Sequence, residues 1–327
     1  MTASIGRLEF REGSVVRRTF ALLLSAGVLV AAAVSNPAPA PATNAVRIAA
    51  VGDIACKDRP KNNRQVCQYD DVASAIQRRD YDRFLVLGDV QYEYGRYKDF
   101  VENYDVYFGP LNAISAPVPG NHDYGTADGA GYYRYFGSLA HGPGGYYSYD
   151  LGGWHIVALN SAICPAVTGC GPGDPQYEWL QQDLAADDAM CTLAYWHHPR
   201  FDWLKYQNAD WTEDYEFLRS KPFWDLLSTA NADVVLSGHN HNYSRWRPMD
   251  ANGVADATGI RQFIVGTGGR NLNNLGSAST RPDTFVKGWA GGFGFLELTL
   301  HQTSYDWRFV AADGQPTFID QGSASCH

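Results

Sequence analysis

The chain has 327 residues, 45% of them apolar and 19% charged, which is the balance of a globular protein with a sizeable core. A formal net charge of −9 excludes nucleic acid and anionic membrane as main partners, because both repel an acidic surface. The 13% aromatic content, with 20 Tyr and 9 Trp, suits a sheet-rich fold.

Residues 1–42 read as an export signal with a short Pro/Ala linker. Arg17 and Arg18 precede the apolar run F-A-L-L-L-S-A-G-V-L-V-A-A-A-V (20–34), and small residues with prolines follow. The run is shorter than the ~20 residues of a membrane span. An uncleaved anchor is the alternative. The order V-R-R-T-F-A-L resembles a twin-arginine signal, with ordinary export as its rival. Cleavage fits after Ala42, because Pro41 disfavours it after Ala40. Removing residues 1–44 takes away four Arg and two Glu and moves the net charge from −9 to −11. The mature protein is then expected to be secreted, with no stable membrane anchor. An anionic substrate would have to be drawn in by a local positive charge.

One domain is expected over residues 45–327. Its recurrent unit is an apolar run that ends in a polar cluster. V-R-I-A-A-V (46–51) ends in Gly52-Asp53, and R-F-L-V-L (83–87) ends in Gly88-Asp89. S-A-P-V-P (115–119) leads to Gly120-Asn121-His122-Asp123, C-T-L-A-Y-W (191–196) to His197-His198-Pro199, and A-D-V-V-L-S (232–237) to Gly238-His239. Short apolar runs bounded by glycine read as buried strands. Helices are predicted between them: over 69–79, where Val72, Ala75, Ile76 and Arg79 share one face, over Gln176–Asp187 and over Pro222–Thr229. Such alternation predicts a parallel sheet with helices outside, and ligands bind at the carboxyl ends of its strands. All five polar clusters sit there.

The tail alternates apolar and polar residues in F-I-V-G (263–266), F-G-F-L-E-L-T-L (293–300) and S-Y-D-W-R-F-V (304–310), so an antiparallel sheet is expected. The fold class that follows is α/β: a four-layer α/β/β/α sandwich of two mixed sheets flanked by helices. Six cysteines in an exported chain point to disulfides. Among fifteen pairings, 56–67 and 164–170 are local and leave 191–326.

Five of the nine histidines fall in G-N-H-D, W-H-H-P and G-H-N-H. Taken alone, S-G-H-N-H-N-Y-S-R-W (237–246) reads better as a polar loop than as a metal site. On an extended backbone His239 and His241 would point the same way, with Asn240 opposite. Adding Asp53, Asp89, Tyr92 and Asn121 gives a donor set of oxygen and nitrogen alone, suited to Fe, Mn or Zn.

G-D-I-A, G-D-V-Q-Y, G-N-H-D, A-Y-W-H-H-P and G-H-N-H resemble, in order, the five blocks of the calcineurin-like metallophosphoesterases. Tyr92, in G-D-x-x-Y, points to their purple acid phosphatase branch in a compact secreted bacterial form. Ala55 and Ala194 depart from the usual Gly and Val. The resemblance implies two metal ions bridged by Asp89. Asp53, Asp89, Tyr92 and His241 would hold one, a hard donor set suited to Fe(III). Asp89, Asn121, His197 and His239 would hold the other, suited to divalent Fe, Zn or Mn. It further implies hydrolysis of small phosphomonoesters by in-line attack of a metal-bound hydroxide, with His122 as the non-ligand proton donor. Asp123 either orients His122 or caps the following turn. His198 either faces the pocket or is structural. Arg270, in G-T-G-G-R-N, either meets an anion or makes a surface salt bridge. A phosphodiesterase on the same site is the first rival, and an inactive metal-dependent binding protein the second.

Overall fold

The structure is a computed structural model, and it describes residues 45–57, 66–203, 218–275 and 281–327. The expected export signal lies outside the described residues. Among the described residues thirteen strands follow one another: β1 (Val46–Val51), β2 (Arg83–Leu87), β3 (Ser115–Val118), β4 (Tyr147–Leu151), β5 (Trp154–Ala158), β6 (Cys191–Tyr195), β7 (Val234–Ser237), β8 (Tyr243–Met249), β9 (Ile260–Val265), β10 (Phe285–Trp289), β11 (Gly294–Leu300), β12 (Ser304–Ala311) and β13 (Gln321–Ser325). They form two mixed sheets, ordered β13-β12-β11-β1-β2-β3 and β10-β8-β9-β7-β6-β5-β4.

The runs that are apolar at every position lie in the middle of these sheets, where both faces are covered. In β7, Val234 and Leu236 face the core that also takes in β1 and β2, while Val235 faces a second core. β6 repeats this, with Leu193 and Tyr195 on one side and Ala194 on the other. The second core includes Leu180 and Leu227, from the helices Pro175–Ala186 and Lys221–Thr229. The helix Tyr69–Gln77 packs Val72 and Ile76 into the first core. The described residues form one compact unit.

β1, β2 and β3 are parallel, as are β5, β6, β7 and β9. β11, β12 and β13 add antiparallel strands beside β1. One expectation holds only in part: β9 pairs antiparallel with β8, but it also lies parallel to β7 in the other sheet and does not join the tail of β11 and β12. Its F-I-V residues are fully buried, as an interior strand requires. The hairpin of β4 and β5 is not among the expected elements, although its Gly152-Gly153 turn, with φ of 63° and 87°, is a two-residue hairpin turn. The three disulfides are those expected, Cys56–Cys67, Cys164–Cys170 and Cys191–Cys326. The last joins β6 of one sheet to the end of β13 in the other.

Candidate metal centre

Five strand ends deliver the polar clusters to one place. β1 and β2 stop at glycines, and Asp53 and Asp89 then adopt left-handed φ values of 59° and 47°. His239, after β7, does the same at 69°. Non-glycine residues pay roughly 1–2 kcal/mol for this conformation, which persists where the surroundings dictate it. The glycines make room for the donors. A Cβ on Gly88 would stand 2.6 Å from His197 Nδ1, and one on Gly120 would stand 2.2 Å from Asp89 Oδ1.

Tyr92 lies at the centre of the first group. Its hydroxyl is 3.0 Å from Asp53 Oδ1, 2.9 Å from Asp89 Oδ2 and 3.0 Å from His241 Nε2. In the second group, His197 Nε2 lies 3.3 Å from Asp89 Oδ2 and 3.2 Å from Asn121 Oδ1, and His239 Nδ1 lies 3.1 Å from the same amide oxygen. Asp89 Oδ2 therefore belongs to both groups. Asp53 and His197 are fully buried and Asp89 nearly so.

Backbone carbonyls fix the imidazoles. His197 Nδ1 donates to Leu87 O at 2.9 Å and His241 Nδ1 to Asn271 O at 2.6 Å. A carbonyl only accepts, so each ring turns the lone pair of its Nε2 toward the carboxylates. These contacts set acceptor against acceptor. The Tyr92 hydroxyl has one proton for three acceptors. Among the described residues, no Lys or Arg makes an ion pair with Asp53 or Asp89. The pocket therefore calls for positive charge. With protons alone, burial would depress His197, yet the Asp89 carboxylate outweighs it and raises that imidazole to about 9. Burial works to raise Asp89, but the His197 and His122 charges hold it below the usual carboxylate range. Burial, reinforced by the two carboxylates, holds the Tyr92 phenol well above its ordinary value. Oxygen and nitrogen donors arranged in this way fit hard or borderline cations.

The other residues named from sequence are placed as follows. His122 sends Nδ1 to the Glu93 carbonyl at 2.7 Å, and its Nε2 is 4.0 Å from Asp89 Oδ2. Asp123 does not orient it. The Asp123 carboxylate accepts backbone N–H groups from Val90 (3.1 Å), Gln91 (3.2 Å) and Gly120 (2.9 Å), so its place is under the turn that carries Asp89. His198 is held by Ser161, whose Oγ is 2.9 Å from Nδ1, and its ring lies 4.6 Å from that of His239. It lines the second group. Arg270 does make a salt bridge, to Glu93 at 2.6 Å, but its guanidinium also lies 4.8 Å from the Tyr92 ring centre. The backbone is not extended at His239, and its left-handed turn sends the two histidines to different groups. Asn240 is buried, with Nδ2 unpaired. Sequence reading missed Glu93, Leu87 and Asn271, whose main-chain carbonyls hold His122, His197 and His241 and leave no side-chain signal.

Among the described residues two other groupings come within metal-binding reach. Cys191, Asp233 and Cys326 are excluded by the disulfide. Asp150, His155 and Asp187 satisfy one another by ion pairing.

Stacked sheets with a shared-carboxylate donor cluster at the strand ends define an α/β protein with a metal-type centre. The family described as calcineurin-like phosphoesterase matches residues 46–243. The chain belongs to this family, in its purple acid phosphatase-like branch. It is 32% identical over 252 residues to purple acid phosphatase 21 of Arabidopsis thaliana, covering 70% of this chain and 54% of that protein. It is 26% identical to purple acid phosphatase 22 of the same plant, covering 64% and 49%. The chain thus spans about half the length of the curated relatives it matches. The fold is similar to that of purple acid phosphatase PPD1 from yellow lupin (Lupinus luteus) seeds, with a TM-score of 0.66, 19% identity, and coverage of 86% of this chain and 54% of that one.

Proposed function

We propose that this protein is an exported phosphomonoesterase that works with two metal ions. One observation carries the reading: a single Tyr92 proton faces Asp53, Asp89 and His241, and the same Asp89 oxygen faces His197. In this reading Asp53, Asp89, Tyr92 and His241 hold one ion, and Asp89, Asn121, His197 and His239 hold the other. The carboxylates and phenol of the first favour Fe(III), and the imidazoles and amide of the second favour divalent Fe, Zn or Mn. When bound, such a pair lowers the pKa of water and neutralises phosphate charge.

The chain's own residues supply the rest. His122 is not a ligand. With Nδ1 committed to Glu93, its Nε2 faces the site, and a side chain one-third exposed can exchange protons with solvent. It is placed to protonate the leaving oxygen of the ester. Asp123 holds the Asp89 turn. His198 packs its ring, tilted by 44°, against that of His239 and limits its movement.

Rates on 4-nitrophenyl phosphate and on its bis-ester test the substrate class. A preference for the monoester supports the proposal. A preference for the bis-ester supports a phosphodiesterase, and no turnover of either by metal-loaded protein contradicts both. Among the described residues no helix is long and apolar enough to cross a membrane. Recovery of the chain in a culture medium or cell-envelope fraction, shortened near Ala42, tests export.

A further inference from the structure

We propose that Arg270, held by Glu93, binds the second negative charge of a phosphomonoester and so sets the preference of the site for monoesters over diesters. This rests on the phosphoesterase reading above. The position of Arg270 is fixed by the main chain. Its N–H donates to Asp53 O at 3.0 Å, and it pairs across a short antiparallel bridge with Cys67, itself bonded to Cys56. The residue is therefore anchored to the wall that carries Asp53. Its guanidinium lies over Tyr92 and reaches the Glu93 carboxylate. A guanidinium has five N–H donors, more than one carboxylate can use, and its fork matches a phosphate. The pair is partly open to solvent, at 24% for Arg270 and 39% for Glu93, so an anion arriving at the donor cluster can reach it.

Charge selects the substrate. A phosphomonoester carries close to two negative charges near neutral pH, and a diester carries one. A protein of net charge −9 opposes dianions in general, so a fixed cation beside the cluster favours the more highly charged ester. Glu93 has two parts in this. Its carboxylate holds Arg270, and its main-chain carbonyl holds His122. The proton donor and the anion-binding side chain thus share one tether.

The experiment compares wild type, Arg270→Ala, Arg270→Lys and Glu93→Ala, each with its metal content measured. Calorimetry gives the affinity for inorganic phosphate, and kinetics give KM and kcat on 4-nitrophenyl phosphate and its bis-ester. Arg270→Ala should weaken phosphate binding and raise the monoester KM by about 10- to 100-fold, the worth of a charged hydrogen bond. Its kcat should fall much less, and bis-ester kcat/KM should change little. Arg270→Lys should recover part of the loss. Glu93→Ala should act in the same direction by about 2- to 5-fold, as an exposed ion pair allows. Unchanged phosphate affinity in Arg270→Ala, or equal losses on both esters, overturns the proposal. Tighter phosphate binding in Glu93→Ala overturns the supporting part given to Glu93. If wild type neither binds phosphate nor cleaves either ester, the phosphoesterase reading itself has failed.

Discussion

His122 and Asp123 are neighbours in the chain that face opposite ways. The imidazole turns toward the donor cluster, with Nδ1 on the Glu93 carbonyl, while the carboxylate turns under the Asp89 turn and accepts three backbone N–H groups. The two residues should therefore fail differently when replaced.

His122→Ala should lower kcat on a monoester by about 10²- to 10⁴-fold, the usual worth of a proton donor. Metal content and melting temperature should stay at the wild-type level. Loss of either ion from this variant would show that His122 is a ligand instead.

Asp123→Ala leaves three buried N–H groups without an acceptor, at about 1–3 kcal/mol for an unsatisfied group. A total loss of about 3–5 kcal/mol is expected, with metal affinity falling as the Asp89 turn loosens. Denaturant unfolding checks this, and a variant as stable as wild type contradicts the assignment.

If Tyr92 binds ferric iron the purified protein should be coloured, and Tyr92→Phe should bleach it. A visible spectrum decides the point. A Tyr92→Phe protein with an unchanged band removes the phenol from the first metal site.

His155 gives a pH dependence remote from the donor cluster. Burial alone would depress it, but hydrogen bonds to Asp183 (2.9 Å) and Asp150 (3.2 Å), with the Asp187 charge, outweigh burial and raise it to about 9. The folded value lies above the unfolded one of about 6.5, so the stabilisation is full below that pH and is lost as pH rises toward 9. His155→Gln should lower Tm at pH 6 by about 2–4 °C, the equivalent of roughly 1 kcal/mol in a large domain. The small figure reflects the exposure of Asp150. The gap from wild type should close by pH 9.5, and a gap that is constant across this range contradicts the pairing.

The strand-end clusters were legible because each couples an apolar run to donor residues, through a glycine in four of the five and directly at His197-His198, and both layers of covering make those runs continuous. Cysteine spacing gave the disulfides for a similar reason, since the two short loops leave one long one. Tertiary choices were less visible. F-I-V-G reads as a strand, but nothing local says that β9 joins β7 rather than β11. The left-handed turn at His239 escaped a period-two argument that assumes extended backbone. Asp123 looked like a partner for His122 because adjacency in sequence suggests contact, whereas the N–H groups that donate to it lie 32 and 33 residues back, at Gln91 and Val90. Main-chain carbonyls such as Glu93 O, Leu87 O and Asn271 O belong to any residue type, so the groups that set the imidazole tautomers carry no sequence signature at all.

The central claim is that Asp89 is shared by two ions, and metal analysis of wild type and Asp89→Ala tests it most directly. Purified wild type should hold two ions per chain, and Asp89→Ala should lose its grip on both. A wild type that binds one ion, or an Asp89→Ala protein that keeps two, would contradict the account.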